Sequence, residues 1–439
     1  MTPDNESRTE DQRMLDSLGW LMEEVIDSIE WHHARQGQPL FTHCHAAVRS
    51  RPVGPGVPPR VLAGGTATNS NLALKKAISE AVERYCATRY LPDTVRVSSL
   101  AELGEEAIPP ERFVLFHPMQ RAHPRFPFTS PRPEGRYGWV KAFSLTANRE
   151  VWVPATMALL YYEPLTTDDM FDRCPVSGYA CGMTWEAAVF RGLCEVVERD
   201  AFTIAWYARR SLPPVDAAVL RSAEVAKTLA RFHPVAGDIT CLELSTDVGL
   251  PVVLAVQHGQ FPTPATIVSA ACDYDMEKAV VRALAELAAN HLMMTSLLAA
   301  GRRVPATPAE VCAMEDHGLF YVPIARRPLL AHFIGGRRET RRDVSASLPA
   351  EPTARLMSAV ERLRQRNLEV IAVDLTLPTV AALGFRVVKV LVPGMQPIDF
   401  GRDWQHLGGR RLYEVPTILG DAHPPRFPWE INRAPHPFP

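Results

Sequence analysis

The chain has 439 residues, 46% of them apolar and 22% charged, with a formal net charge of −2. That is enough length for two or three domain-sized units with substantial cores, and the near-neutral charge points to neither nucleic acid nor a membrane as partner. No apolar run approaches the roughly 18 residues of a membrane span, the polar, acidic N-terminus is no signal peptide, and the eight cysteines show no CxxC spacing and read as reduced thiols of a cytoplasmic protein.

Residues 14–31 read as an amphipathic helix, with Leu18, Met22, Val25 and Ile29 on one stripe. The stretch from Arg51 to Arg60 is rich in Pro and Gly and reads as a linker or irregular edge. It separates an N-terminal segment, 1–60, from a main domain, 61–439. A helix is expected after Asn69 or Ser70, a second after Thr184 and a third after Asp275, since each of these residues can cap a helix start. Between them lie three hairpin signals, alternating β-branched runs around polar turns. The first turns through Ala147, Asn148 and Arg149, the second at Asp247, Val248 and Gly249, and the third between Pro378 and Gly384. Helix and hairpin thus alternate. The fold class expected is mixed α/β, built from repeated helix-plus-hairpin units on antiparallel or mixed sheet.

The first and second helices carry one pattern twice. Ala73, Ala77, Glu80, Glu83 and Arg84 are matched by Ala188, Gly192, Glu195, Glu198 and Arg199. A fainter third copy has Ala279, Ala283 and Glu286, with Ala289 and Asn290 in place of the second Glu and the Arg. Residues three apart on a helix are neighbours, roughly 5–6 Å between Cβ atoms, so each copy offers a pair of carboxylates. One copy alone is an ordinary salt-bridged helix face. Two copies brought together make a cluster of like charge that must take up protons or bind a cation, and oxygen-rich sites of this kind suit Mg²⁺ bridging to phosphate. The small residues upstream suggest that the two helices pack closely on each other.

Other signals are weaker. There is no P-loop, and Asp399-Phe400-Gly401 lacks any accompanying kinase motif, so it reads as a turn after a strand. His43-Cys44-His45 has no second ligand pair to complete a metal site. The basic cluster Arg337, Arg338, Arg341 and Arg342 reads as a solvated loop.

The stretch GGTATNSNLALKKAISEAVERYCA at 64–87 resembles the first ATP-binding motif of YcaO-domain proteins, and SGYACGMTWEAAVFRGLCEVVERDAFTIAWYAR at 177–209 resembles the second. EKAVVRALAEL at 277–287 is similar to a third family element. The 374–401 run, RLYEVP at 411–416 and the terminal PHPFP at 435–439 are similar to the azoline-forming branch. The resemblance covers about residues 60–439. It implies an ATP-dependent cyclodehydratase that converts Cys, Ser or Thr of a ribosomally made peptide to thiazoline or oxazoline through phosphorylation of the backbone amide oxygen. Carried over by motif position, Glu80, Glu83, Glu195 and Glu198 would hold Mg²⁺ and, through it, ATP. Arg199 would contact phosphate and serve catalysis, and Arg282 would join it. Ser79, Ser177 and Glu186 lie in the motifs as nucleotide contacts. The terminal carboxylate of Pro439 would act as a base or positioner, held by a stiff proline-rich tail. Two departures stand out: Ser177 occupies a position where many members have Asn, and Gly65-Thr66 stands where many have Lys.

The partners implied are a separate ThiF-like leader-peptide-binding protein, the ribosomal precursor peptide, a flavin-dependent dehydrogenase that would aromatise the azoline, and a second copy in a homodimer. Two alternative outcomes stay open: thioamide or amidine formation by the same ATP chemistry, and a non-catalytic peptide-binding scaffold.

Overall fold

The computed structural model describes residues 14, 16–49, 61–90, 92–113, 116–260, 264–334, 347–401 and 405–439. The Pro/Gly stretch at 51–60 and the Arg337–Arg342 cluster lie outside the described residues. The fold is mixed α/β, with three antiparallel sheets among the described residues, and the helices that matter lie between them.

The N-terminal helix is shorter than expected. Helix α1 spans Leu18–Glu24, and the rest of the predicted stripe is strand β1, Ile26–His33. Ile26, Ile29 and Trp31 are β-branched or aromatic residues that fit a pleated surface better than a helix. β1 pairs antiparallel with β2, Thr42–Val48, which pairs with β3, Val61–Ala67. This sheet therefore spans the boundary drawn at residue 60. Asn69 accepts a hydrogen bond from the Leu72 amide and starts helix α2, Ser70–Ala87.

The large sheet holds β4, Arg96–Ser99; β5, Arg136–Ser144; β6, Arg149–Pro154; and β7, Tyr179–Gly182. β5 and β6 form the expected hairpin, with Asn148 at φ 50° in the turn. Thr184 caps helix α3, Trp185–Tyr207. The third sheet is a meander of β8, Gly237–Glu243; β9, Val252–Gly259; and β10, Thr266–Cys272. Asp275 caps helix α4, Met276–Ala299. A short helix α5, Met314–Phe320, follows. β11, Ile371–Asp374, and β12, Arg386–Leu391, then return to the large sheet, giving the order β4-β5-β11-β12-β7.

The three capped helices share one arrangement. Each follows the outer strand of an antiparallel set, β3, β7 or β10, and packs on it. Each also reaches the next sheet: α2 touches β7 and β12, α3 touches β10 and β9, and α4 touches β3. The cycle closes on itself. The buried side chains confirm it: Ala73, Ala77 and Ala81 of α2 share a cluster with Cys181 and Val387 of the large sheet. Ala188, Leu193 and Val197 of α3 share one with Val388 and Val390 on one side and Leu254 and Val268 on the other.

The small residues of the repeated pattern face strands rather than a sister helix, contrary to the sequence expectation. A Cβ on Gly65 would lie 1.9 Å from the Ala73 carbonyl oxygen, and one on Gly192 would lie 2.7 Å from the Gly178 carbonyl oxygen and 2.8 Å from Val390 Cγ2. Smallness at these positions lets each helix lie flat on its own strand, which draws the strand backbone and the carboxylates together.

Candidate functional site

The carboxylates sit where the helix cycle converges. In α2, Glu80 Oε2 accepts from the Gly64 amide at 3.0 Å, and Arg84 Nη2 reaches Glu80 Oε1 at 3.3 Å. In α3, Glu195 Oε2 accepts from the Gly178 amide at 2.8 Å, and Arg199 lies 3.7 Å from both Glu195 Oε1 and Glu198 Oε1. One oxygen of Glu80 is thus fixed by the middle of β3 and one of Glu195 by the residue just before β7.

A second matched feature lies one helical turn before these acids. Lys76 donates to the Thr66 carbonyl at 3.0 Å, Arg191 to the Cys181 carbonyl at 2.9 Å, and Arg282 to the Cys272 carbonyl at 3.0 Å. Each basic residue is seven positions after its helix cap and four before a glutamate: Glu80, Glu195 and Glu286. The third copy is therefore a full structural member of the set. Its Asn290, at the position of Arg84 and Arg199, donates to the Val268 carbonyl at 2.9 Å instead.

The electrostatics show that the acids form one cluster. Burial pushes the Glu83 carboxyl up to about 8; Arg84 opposes this, and Glu80 and Glu195 add to it. Burial likewise pushes Glu198 up to about 7, against Arg199, with Glu195 and Glu286 adding to the rise. Glu80 is raised by burial too, and Glu286 contributes. Lys76 is lowered, first by burial, with Arg282 and Arg191 nearby and Glu286 opposing. Glu286, Lys76 and Arg191 thus belong to the site although sequence reading did not place them there. The visible signal was Glu286 itself, discounted because its two companions were replaced.

Of the residues expected at the site, Glu80, Glu83, Glu195, Glu198, Arg199 and Arg282 come together. Ser177 is buried beside them: its carbonyl accepts from the buried Lys389 ammonium at 2.7 Å, and it shares a cavity wall with Arg199. Ser79 is half-buried beside Glu80 on α2. Glu186 stands in the first turn of α3, about 13 Å along the axis from Glu195, so it lies apart from the carboxylates.

The C-terminal tail enters the same region. Trp206 Nε1 donates to the Ala434 carbonyl at 3.0 Å, Tyr321 donates to the Pro435 carbonyl, and His317 Nδ1 donates to the His436 carbonyl at 2.9 Å. His436 stacks on His317 with ring centres 3.9 Å apart and donates to the Asp399 carbonyl at 2.7 Å. Phe438 lies under Arg199, 4.2 Å from the guanidinium carbon to the ring centre. The Asp399 side chain is engaged elsewhere, with Asp172, on either side of His406. Burial pulls the His406 imidazole down, but Asp172 and Asp399 outweigh it and hold it at about 10. The DFG-like turn is thus a buried anchor for the loop under the tail. His43 bonds Thr66 within the first sheet.

The residues fit a metal-bound nucleotide. Arg199 Nε and Nη1 and Arg84 Nε are buried with no hydrogen-bond partner, open donors of the kind that phosphate oxygens satisfy. Among the described residues no three His, Cys, Asp or Glu side chains converge as a self-sufficient metal group. Mg²⁺ usually takes one or two carboxylates and completes its shell with waters and substrate phosphates, which matches acids spread over three helices. Among the described residues no helix is long and apolar enough to cross a membrane.

Comparison with known proteins agrees. A family model described as YcaO cyclodehydratase, ATP- and Mg²⁺-binding, matches residues 64–396. An uncharacterized protein of Methanothermobacter thermautotrophicus is 28% identical over 384 residues, 86% of this chain and 91% of its own length. A heterocyclase solved in complex with substrate and cofactor superposes with a TM-score of 0.80 at 24% identity, over 98% of this chain and 58% of its own. The heterocyclase TruD superposes at 0.66 with 26% identity, over 84% of this chain and 51% of its own. The chain thus spans little more than half the length of these two heterocyclases.

Proposed function

The chain belongs to the YcaO family of ATP- and Mg²⁺-binding cyclodehydratases, and from that premise we propose that it forms thiazolines or oxazolines from Cys, Ser or Thr of a ribosomally made precursor peptide. The observation that carries this reading is Arg199: a half-buried guanidinium whose buried Nε and Nη1 have no hydrogen-bond partner, 3.7 Å from Glu195 and Glu198, with Phe438 of the proline-rich tail against it. ATP with Mg²⁺ supplies the phosphoryl group that captures the amide oxygen and departs as phosphate. Phosphoryl transfer asks the protein mainly for positioning and charge neutralisation, and this site is built for both.

Glu80 and Glu195, each steadied by a backbone amide, and Glu83, Glu198 and Glu286 around them are the residues that would hold the metal. Arg199 and Arg84 would meet phosphate oxygens, with Arg282 and Lys76 supporting the site from the adjoining helices. Ser79, Ser177 and Glu186 are assigned to the rest of the nucleotide, for which the distance of Glu186 along α3 leaves room. The carboxylate of Pro439 would take the proton of the attacking thiol or hydroxyl, or hold that group in place. The path of the tail supports this role, since residues 434–438 are pinned along α3 toward Arg199. A leader-binding protein of the ThiF-like kind, a homodimeric partner copy and a downstream dehydrogenase complete the proposed setting. TruD, a heterocyclase, lends support to the azoline outcome.

Changing Glu198 to Gln keeps the side chain's shape and removes its charge. ATP-dependent heterocyclisation should fall below detection, while association with peptide and partner persists. Activity surviving in Glu198→Gln would remove this residue from the metal site.

A further inference from the structure

An apolar cavity of about 50 Å³ adjoins the carboxylate cluster, lined by Met157, Val196, Val392 and Met395, with Arg199 and Gln396 among its polar walls. Gln396 is 1% exposed. Its amide donates to Asp200 Oδ1 at 2.8 Å and its Nε2 to the His406 carbonyl at 2.7 Å. Its Oε1 has no hydrogen-bond partner, and neither do Nε and Nη1 of Arg199, although Nε stands 3.7 Å from Glu198 Oε1. Flipping the Gln396 amide would set oxygen against the His406 carbonyl, so the bonding network fixes which atom is the acceptor. Buried polar atoms without partners are rare in folded proteins and call for an explanation.

Two residues lining this small apolar space thus carry a buried acceptor and buried donors without hydrogen-bond partners. An extended peptide residue presents the complement, its own N–H and C=O on the same edge. At about 50 Å³ the space suits a methyl or isopropyl side chain. Position adds a further constraint. Arg199 is the group assigned to phosphate, so the amide to be activated must lie within its reach.

We propose that this cavity seats the substrate residue on the amino side of the cyclised Cys, Ser or Thr. Its N–H is accepted by Gln396 Oε1, its carbonyl faces Arg199, and a small apolar side chain fills the cavity. This inference rests on the cyclodehydratase reading. It makes Gln396 a substrate-binding residue and the volume between Met157 and Val392 a determinant of which peptide sites are modified.

The test is calorimetric titration of the full chain, loaded with Mg²⁺ and a non-hydrolysable ATP analogue. The probes are acetyl-Gly-X-Cys-amide peptides with X as Ala, Val, Phe or Asp, and a peptide with N-methyl-Ala at X. Ala and Val peptides should bind about ten-fold more tightly than Phe and Asp peptides, and N-methylation should cost about ten-fold. In Gln396→Met, checked for folding by thermal melting, the N-methyl penalty should vanish, since the partner it removes is already gone. The wild-type series decides the matter by itself if that variant does not fold. Equal affinity across X, an N-methyl penalty that persists in Gln396→Met, or no binding by any probe would overturn the proposal. The reaction itself is read separately, from mass loss in a whole precursor. Water loss there without selectivity here would remove the seat and leave the reaction standing.

Discussion

The guanidinium carbon of Arg199 stands 4.2 Å from the centre of the Phe438 ring. These residues are 239 positions apart, 438 − 199, and their contact ties the arginine of the carboxylate cluster to the tail. The ring face attracts the cation by about 0.5–2 kcal/mol, more when desolvated.

Phe438→Leu keeps most of the apolar volume and removes the ring face. Turnover should fall about ten-fold, with the melting temperature lowered by only a few degrees, because the volume-conserving change costs about 1 kcal/mol. A turnover unchanged in Phe438→Leu would separate the tail from catalysis.

The raised carboxyls give a signed pH dependence. Glu83 and Glu198 move from an ordinary 4.5 to about 8 and about 7 when folded. The nucleotide-free protein therefore holds more protons than the unfolded chain across this window. Its stability contribution from these groups is full below about 4.5 and is lost as pH rises through about 7 to about 8. A metal held by these carboxylates, as proposed, would displace those protons. Melting temperature without ligand should fall between pH 5 and pH 8, roughly the window of these shifts. Mg²⁺ and an ATP analogue should flatten that fall, with proton uptake by buffer detectable in calorimetry.

Lys389 offers a test of the strand-end support. It is fully buried, and burial lowers its ammonium pKa. It donates to the carbonyls of Pro175 and Ser177, and the next amide, Gly178, donates to Glu195. A cation on one side of that peptide group strengthens donation on the other. Lys389→Met should weaken binding of Mg²⁺ with an ATP analogue about ten-fold, since a carbonyl loses its partner at about 1–3 kcal/mol. Binding at wild-type strength would show that Glu195 is held without this relay.

Much of the site could be read from the chain because its parts recur locally. Glu80 with Glu83, and Glu195 with Glu198, lie one helical turn apart, and Asn69, Thr184 and Asp275 announce their helices by capping chemistry. The three hairpins followed from alternating β-branched runs. Other features depend on contacts that local pattern does not encode. Small residues at Ala73 and Gly192 signal close approach but not whether a helix or a strand approaches, and here it is a strand. His406 meets Asp172 across 234 positions, and Gln396 gains its meaning only from the cavity it lines. The helix expected through residue 31 gave way to β1 because pairing with β2 outweighs a stripe of apolar residues.

The activity proposed for this chain is ATP-dependent loss of water from a peptide. Its most direct test is mass spectrometry of a precursor peptide incubated with this protein, a ThiF-like leader-binding partner and Mg²⁺ with ATP. One water mass should be lost per modified Cys, Ser or Thr, dependent on ATP and absent with Glu198→Gln. A mass unchanged while the nucleotide binds normally, or a gain matching exchange of oxygen for sulfur when sulfide is supplied, would contradict it.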